Sequence, residues 1–379
     1  MKKTISLILI LTIMLIPLGA ANVSATKGGI IAKGYILMEA ATGKILASGN
    51  EHVSLPIAST TKIMTALLAL EQPNIFENFE VDSKAIMVEG TSMGLRAGDK
   101  ASLFTLANGM LLPSGNDAAN AAAVKIAGSI PKFSDLMNKK AASLSMNDSH
   151  FVTPSGLHDE NHYSSAYDMA LLTRAALKNP TFASICSKSR ARVEFGNPLQ
   201  KRQLSNHNRL LVECEGCIGV KTGFTKKAGR CLVSATTRDD VTLICVTLGA
   251  ADDWNVHKTL YDTWFPQIEK TPINVSVDKL KLNVVGGTQN KIGVATHVTT
   301  TAPVQQNEVK LLKQQIYINR FYYAPIKKGD VVGEIKHYLN DYEVASTILV
   351  ANQDVALTPF IEKKKTFFSK LKEFFSNIF

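Results

Sequence analysis

The pattern of apolar and polar residues divides the chain into segments of different kinds. From Gly34 to about Trp264, short apolar runs typical of strands stand at both ends, and runs with apolar residues on one helical face lie between them. Strands are predicted at 35–38, 45–47, 217–220, 231–236 and 241–248, with a hairpin turn at 42–43, and helices at 106–112, 118–127 and 169–178, with another opening at residue 59. This order predicts an α/β domain in which helices cover a mainly antiparallel sheet.

The pattern changes after Trp264. Short β-rich runs separated by glycine and aspartate continue from Thr271 to about Leu357, which is typical of a small all-β domain. We therefore predict a first domain over residues 26–270 and a β-rich second domain over residues 271–360.

The start of the chain has the pattern of an export signal. Lys2 and Lys3 precede an uncharged apolar run from Ile5 to about Ala20, and small residues follow at 23–25. A charged start, an apolar run and a small-residue cleavage site are the parts of a secretory signal peptide. Residues 1–25 are predicted to be such a peptide, which favours an exported protein over a retained membrane span.

The last segment, residues 361–379, is predicted to be an amphipathic helix. Three lysines at 363–365 precede apolar residues at helical spacing, namely Phe367, Phe368, Leu371, Phe374, Phe375 and Ile378. Such a helix is too short to span a bilayer but suits an anionic membrane surface. We expect the protein at the extracytoplasmic face of the cell membrane; a helix docked on its own domain is the alternative.

Charge and cysteine content narrow the function classes. The net charge of +10 is dispersed and accompanies no nucleic-acid-binding motif, so anionic lipid or an anionic wall polymer is the expected partner. The five cysteines are predicted to be buried or locally paired structural residues. Neither a glycine-rich phosphate loop nor a metal-ligand motif is recognisable: His158 and His162 stand four apart but fall in an apparent loop. We expect neither cofactor nor metal.

One apolar helix begins with a serine and a lysine. In PIASTTKIMTALLALE, Ser59 and Lys62 lie one turn apart, where their side chains can touch. A lysine buried among apolar residues is costly unless it gives up its proton, and a neutral lysine can take the proton of a serine nucleophile. The alternative is a helix cap and a lysine that reaches the surface. The same spacing recurs at four other places in the chain, so the apolar context carries the argument.

Two further motifs follow in the chain. Ser114 and Asn116 stand in a turn before a helix, where an asparagine amide can hold both a lysine and a carbonyl. Lys221, Thr222 and Gly223 lie on an apparent strand running into a turn, where a lysine and a hydroxyl can bind a carboxylate. Taken alone, each motif is at least as typical of an ordinary turn or strand edge as of a functional site.

Together, Ser-x-x-Lys, Ser-x-Asn and Lys-Thr-Gly in this order form the motif set of penicillin-binding proteins and serine β-lactamases. The chain resembles the low-molecular-weight penicillin-binding proteins, specifically the D-alanyl-D-alanine carboxypeptidases of peptidase family S11. The resemblance extends over residues 35–47, 56–71, 90–122, 150–177 and 219–248. It implies a transpeptidase-type domain, with an antiparallel sheet flanked by helices and a helical subdomain, followed by the small all-β domain.

The resemblance also implies a role for each motif residue. Ser59 would attack the peptide bond between two terminal D-alanines of peptidoglycan pentapeptides, Lys62 would accept its proton, and Ser114 would pass that proton to the leaving amine. The substrate-binding residues would be Asn116, Lys221, Thr222, Gly223 and Phe224, the last through its backbone N–H in an oxyanion hole shared with Ser59. β-Lactams would trap Ser59 as a slow acyl-enzyme.

Two positions depart from the family pattern. Phe224 stands where some relatives carry a histidine, and the stretch GAADDWNVHK lacks an arginine that some relatives use to hold the carboxylate. His257 and Lys258 are the candidates to replace it.

Three rival functions stay open. A serine β-lactamase is disfavoured because its acidic deacylation motif is not evident between Ser114 and Lys221. A β-lactam sensor or wall-binding module without turnover, and an endopeptidase acting on cross-links, share the same residues. The biological role is compatible with either vegetative wall maturation or sporulation.

Overall fold

A computed structural model describes residues 29–359, apart from 240, 269, 297, 305–307, 340 and 341. The chain divides between Thr263 and Trp264 into two compact units. The predicted signal peptide (1–25) and tail helix (361–379) lie outside the described residues.

The helices lie almost entirely in the first unit. They are α1 (Lys62–Leu70), α2 (Leu103–Leu111), α3 (Asn116–Ala127), α4 (Ile130–Ser143), α5 (Ala166–Leu177), α6 (Pro180–Cys186), α7 (Leu210–Glu213) and α8 (Asp253–Trp264), with short 3₁₀ turns at Ala58–Thr61, Phe265–Gln267 and Val309–Leu311. None of the helices in this part of the chain is long and apolar enough to cross a membrane.

The strands occur in both units. Those of the first unit are β1 (Gly34–Glu39), β2 (Ile45–Gly49), β3 (Phe79–Glu80), β4 (Lys100–Ala101), β5 (Arg190–Phe195), β6 (Gln200–Ser205), β7 (Cys217–Thr225), β8 (Gly229–Arg238) and β9 (Val241–Leu248). Those of the second unit are β10 (Lys270–Ile273), β11 (Lys281–Val285), β12 (Lys291–Thr296), β13 (Thr300–Pro303), β14 (Lys313–Ile318), β15 (Tyr322–Tyr323), β16 (Val331–Leu339) and β17 (Tyr342–Ala351).

A five-stranded antiparallel sheet forms the centre of the first unit. Its order is β2-β1-β9-β8-β7, so strands from the two ends of the segment meet in one sheet, as predicted. The predicted hairpin turn between β1 and β2 is present. In this turn Gly43 has a positive φ of 79°, which glycine adopts without steric cost. Strand β7 is at the sheet edge, and it continues through Thr225, so the Lys-Thr-Gly triplet lies within the strand and the turn follows it.

Helix α1 is the buried centre of the helical part. Every residue of Lys62–Leu70 is buried, because the helix packs against α2, α3 and α5. The predicted helix at 118–127 starts two residues earlier, at Asn116. Helix α4 was not predicted, although Ser129 caps its first turn and Phe133, Met137 and Ala141 recur on its buried face.

In its described residues, the second unit consists mainly of β-strands, as predicted. A six-stranded sheet of order β14-β16-β17-β12-β11-β15 and a two-stranded β10-β13 pair account for its strands. Inward-facing aliphatic residues such as Leu282, Ile292, Ile335 and Leu349 form its main core.

Candidate active site

A cavity of about 420 Å³ opens beside the edge strand β7. Its wall includes the 3₁₀ turn before α1, the turn before α3, the loop at 155–157, β7 with the start of β8, and the start of α8. The predicted residues that line it are Ser59, Ser114, Asn116, Thr222, Gly223 and Phe224. Lys62 and Lys221 are buried immediately behind this surface. The three motifs, far apart in sequence, are therefore brought to one place.

Lys62 has no exposed surface and three hydrogen-bond partners. Its Nζ lies 2.8 Å from Ser59 Oγ, 2.7 Å from Asn116 Oδ1 and 2.7 Å from the Ser155 carbonyl oxygen. Burial lowers the pKa of Lys62 well below its usual value; nearby Lys221 lowers it further, while Asp117 opposes the shift.

The partners of Lys62 fit a neutral amine. The Ser155 carbonyl and Asn116 Oδ1 can only accept hydrogen bonds, and a neutral amine has two N–H groups to give them. A neutral amine would keep its lone pair for the proton of the Ser59 hydroxyl, whose Oγ lies 2.8 Å from Nζ. A hydroxyl hydrogen-bonded to a neutral amine is the arrangement that general-base activation of a serine requires.

The Asn116 amide is fixed in orientation by its surroundings. Its Nδ2 donates to the Glu89 carbonyl at 2.6 Å, which leaves Oδ1 directed at Lys62. The fit is close at Gly90, where an added Cβ would lie 2.7 Å from Asn116 Nδ2. The neighbouring Asp117 accepts hydrogen bonds from the backbone N–H groups of Met93, Gly94 and Leu95, so the same loop is tied to the start of α3.

Ser114 lies in the cavity wall with a positive φ of 65°. In the described part of the chain, the third hydrogen-bond partner of Lys62 is the Ser155 carbonyl and not the Ser114 hydroxyl. Backbone strain at a non-glycine residue is typical of functional sites.

Lys221 lies behind the cavity wall and does not line it. It is 1% exposed, and its Nζ donates to the Thr222 carbonyl at 2.7 Å. Burial lowers the pKa of Lys221 to about 7. The Thr222 side chain, by contrast, lines the cavity.

Gly223 is where β7 contacts the turn that carries Ser59. An added Cβ would lie 3.0 Å from Ser59 N and 3.1 Å from Thr60 N, so a side chain there would push the strand away from Ser59. Next to it, Phe224 is 66% exposed and lines the cavity. The backbone of this strand and that of the Ser59 turn are thus adjacent, as an oxyanion hole requires.

Sequence reasoning missed part of the site. The Ser155 carbonyl has no sequence signal, because any residue carries that group. The cavity wall also includes Arg230, Asp253 and Trp254. Of the two candidates for binding a carboxylate, His257 is fully buried between Ser234 and Thr247, and burial lowers its pKa to about 3. His257 therefore cannot serve. Lys258 is not among the lining residues.

The two histidines of HDENH have different partners. His158 contacts Glu160, whereas His162 is buried and lies 2.8 Å from Thr61 Oγ1. Within the described residues, no group of three or more potential ligands could hold a metal ion. The five cysteines are unpaired, and four of them are buried.

The chain matches a family model described as D-alanyl-D-alanine carboxypeptidase, peptidase S11, over residues 21–252. The chain belongs to this family. A second model, the C-terminal domain of penicillin-binding protein 5, matches residues 271–357. The family consists of serine hydrolases, so the resemblance identified from the three motifs is confirmed, and the protein is an enzyme of the D-alanyl-D-alanine carboxypeptidase type.

Full-length relatives support the same assignment. D-alanyl-D-alanine carboxypeptidase DacF of Bacillus subtilis is 32% identical over 87% of this chain and 87% of its own length. Among solved structures, penicillin binding protein 5 from Haemophilus influenzae is 28% identical with a TM-score of 0.62, over 88% of this chain and 99% of that protein. The Streptomyces K15 DD-transpeptidase covers 62% of this chain, with 29% identity and a TM-score of 0.58. The predicted fold class is confirmed.

Proposed function

We propose that Ser59 is the nucleophile of a D-Ala-D-Ala carboxypeptidase that removes the terminal D-alanine of peptidoglycan pentapeptides. The observation that carries this is the contact between the Ser59 hydroxyl and a fully buried Lys62 whose other two partners can only accept hydrogen bonds. Lys62 takes the Ser59 proton as the oxygen attacks the carbonyl carbon, and the acyl-enzyme forms with D-alanine as leaving group.

The remaining predicted residues have supporting positions. Gly223 allows the Phe224 backbone to stand beside Ser59, so that two N–H groups stabilise the developing oxyanion. Ser114, in the same wall, passes the proton from Lys62 to the leaving amine. Asn116 holds Lys62 and the substrate, and Lys221 keeps Lys62 neutral by its nearby charge. The Thr222 hydroxyl donates to the substrate. Water then hydrolyses the acyl-enzyme, and β-lactams stop the cycle at that intermediate.

The experiment that tests this function is D-alanine release from a muramyl pentapeptide by the purified chain, with Ser59→Ala beside it. We expect release by the wild type and none above background by the variant. Release by Ser59→Ala would overturn the assignment of the nucleophile. A folded wild type that acylates with penicillin but releases no D-alanine would favour the sensor or the endopeptidase.

We also propose that the protein is exported, works outside the cytoplasm and is held at the membrane by residues 363–379. The support is the sequence pattern of an export signal and of an amphipathic basic tail. The mature chain should co-sediment with anionic vesicles more than with neutral ones. Phe368→Asp should abolish sedimentation with both, and unchanged sedimentation would contradict the role of the tail.

A further inference from the structure

The substrate of a carboxypeptidase ends in a carboxylate, and its pocket therefore needs a cation that stays charged. Among the cavity-lining residues in the described part of the chain, Arg230 is the one lysine or arginine. Lys221 is buried behind the wall, with its pKa lowered to about 7. His207 also lines the cavity, but burial and the charge of Lys221 lower its pKa. Arginine keeps its charge at any physiological pH.

Arg230 is held by its neighbours with part of its guanidinium open. Its Nε and Nη2 donate to Asp253 Oδ1 at 3.0 and 2.7 Å, and its Cζ lies 5.5 Å from the Trp254 ring centroid. An arginine has five N–H donors. The Nη1 end keeps its donors available in the cavity, since no other partner of this side chain occurs among the described residues. The Arg230 side chain is 40% exposed, whereas that of Asp253 is 4% exposed.

The strand register brings Arg230 next to the Lys-Thr-Gly motif. Arg230 on β8 is directly opposite Phe224 on β7, and Thr222 is two residues away along β7. Directly opposite residues and their diagonal neighbours share one face of a sheet, about 7–8 Å apart along the diagonal. A hydroxyl and a guanidinium at this separation can share one carboxylate, with the guanidinium binding it through paired N–H groups.

We propose that Arg230, oriented by Asp253, binds the carboxylate next to the scissile bond and restricts the enzyme to bonds whose leaving amine carries a free α-carboxylate. This inference rests on the proposed function. The substrate class is then an acyl-D-alanyl-D-amino acid, whether its leaving residue is a terminal D-alanine or another D-amino acid. An amide bond to a side-chain amine without an adjacent carboxylate is excluded.

The test compares two substrates that share the acyl-D-alanyl part. One is the peptide acyl-D-Ala-D-Ala with its free carboxylate; the other is a thiolester of the same acyl-D-Ala with a neutral thiol, which needs Ser59 but no carboxylate binding. Arg230→Gln should lower kcat/KM for the peptide by about ten-fold or more, mainly through KM. It should leave kcat/KM for the thiolester within about two-fold of the wild-type value. Arg230→Lys keeps the positive charge but loses the paired N–H donors of the guanidinium. Its kcat/KM for the peptide should fall between those of the wild type and Arg230→Gln.

Lys258→Gln is the matched control, because it removes a positive charge on α8, the helix that also carries Asp253, without changing a cavity-lining residue; both substrates should be unaffected. Equal loss of both substrates in Arg230→Gln would overturn the proposal in favour of a purely structural ion pair, as would peptide hydrolysis at the wild-type rate. Failure of the proposed function looks different. In that case the wild type turns over neither substrate, or Ser59→Ala turns over both, and the role of Arg230 falls with it.

Discussion

The two walls of the active-site cavity place their basic side chains in opposite environments. On the helix wall, where Ser59 and Lys62 lie, Lys62 is completely buried and hydrogen-bonded to three oxygen atoms, and its burial and the nearby charge of Lys221 favour the neutral amine. On the strand wall, formed by β7 and the start of β8, the Arg230 side chain is part-exposed and pairs with Asp253. Burial lowers the pKa of Lys62, as its proposed role as a base requires, whereas the part-exposed guanidinium of Arg230 suits its proposed role of binding an anion. Lys221 lies between these cases, with its pKa lowered to about 7.

The largest expected effect comes from making the helix wall resemble the strand wall. Lys62→Arg places a permanent cation where a base is needed, so the Ser59 proton has no acceptor. We expect the second-order rate of acylation by a fluorescent penicillin to fall on the order of 10³-fold. Lys125→Arg on α3, above the Phe79 ring, is the matched control and should acylate normally. A Lys62→Arg variant within ten-fold of wild type would remove lysine from the mechanism.

The next effect comes from separating the two walls. Gly223→Ala adds a Cβ at 3.0 Å from Ser59 N, and backbone atoms on both sides cannot turn away as a flexible side chain would. We expect acylation to fall about 10²-fold through displacement of β7, while the thermal unfolding midpoint changes little. Normal acylation would mean that β7 does not need to touch the Ser59 turn.

A smaller effect sharpens the role of the intermediate lysine. The charge of Lys221 lowers the pKa of Lys62, so Lys221→Met should let that pKa rise. Because acylation needs neutral Lys62, the acid limb of its pH profile should move to higher pH. Acylation rates measured between about pH 5 and 9 should locate this limb, because that range surrounds the ordinary working pH of such bases. Lys226→Met, an exposed neighbour, is the control, and an unmoved limb in Lys221→Met would contradict electrostatic coupling.

The smallest effect concerns stability behind the strand wall. Burial lowers the pKa of His257 to about 3, below the value of about 6.5 in an unfolded chain. The unfolded state therefore binds more protons between these values, so the stability is complete above about pH 6.5 and is lost as pH falls toward 3. We expect the first unit to lose roughly 2 kcal/mol between pH 7 and 5 from this residue. His257→Asn should reduce that pH dependence in urea unfolding followed by Trp254 fluorescence; an identical pH dependence would contradict it.

Much of the helix wall could be predicted from local sequence. Ser59 and Lys62 are three residues apart, and one turn of helix is enough to join them. The two halves of the sheet could be predicted because apolar runs reveal strands. The third partner of Lys62 could not be predicted, since it is the backbone carbonyl of Ser155, which carries no side-chain signal.

The strand wall depends on contacts between distant residues. Arg230 stands on β8 and Asp253 at the start of α8, so their ion pair follows from how the helix returns to the sheet. Sequence reasoning looked for a cation beyond the last strand and considered His257, which folding buries completely. The position of Arg230 beside the Lys-Thr-Gly motif follows from the pairing of β7 with β8, which the local sequence pattern does not show.

The proposed mechanism depends most on the charge of Lys62 in the resting enzyme. The direct measurement is an NMR pH titration of the chain labelled at lysine Cε, with the Lys62 signal assigned by its loss in Lys62→Arg. We predict that this signal titrates well below the ordinary lysine pKa, so that Lys62 is neutral where the enzyme works. A Lys62 that stays protonated until about pH 10, as an unperturbed lysine does, would contradict its proposed role as the base for Ser59.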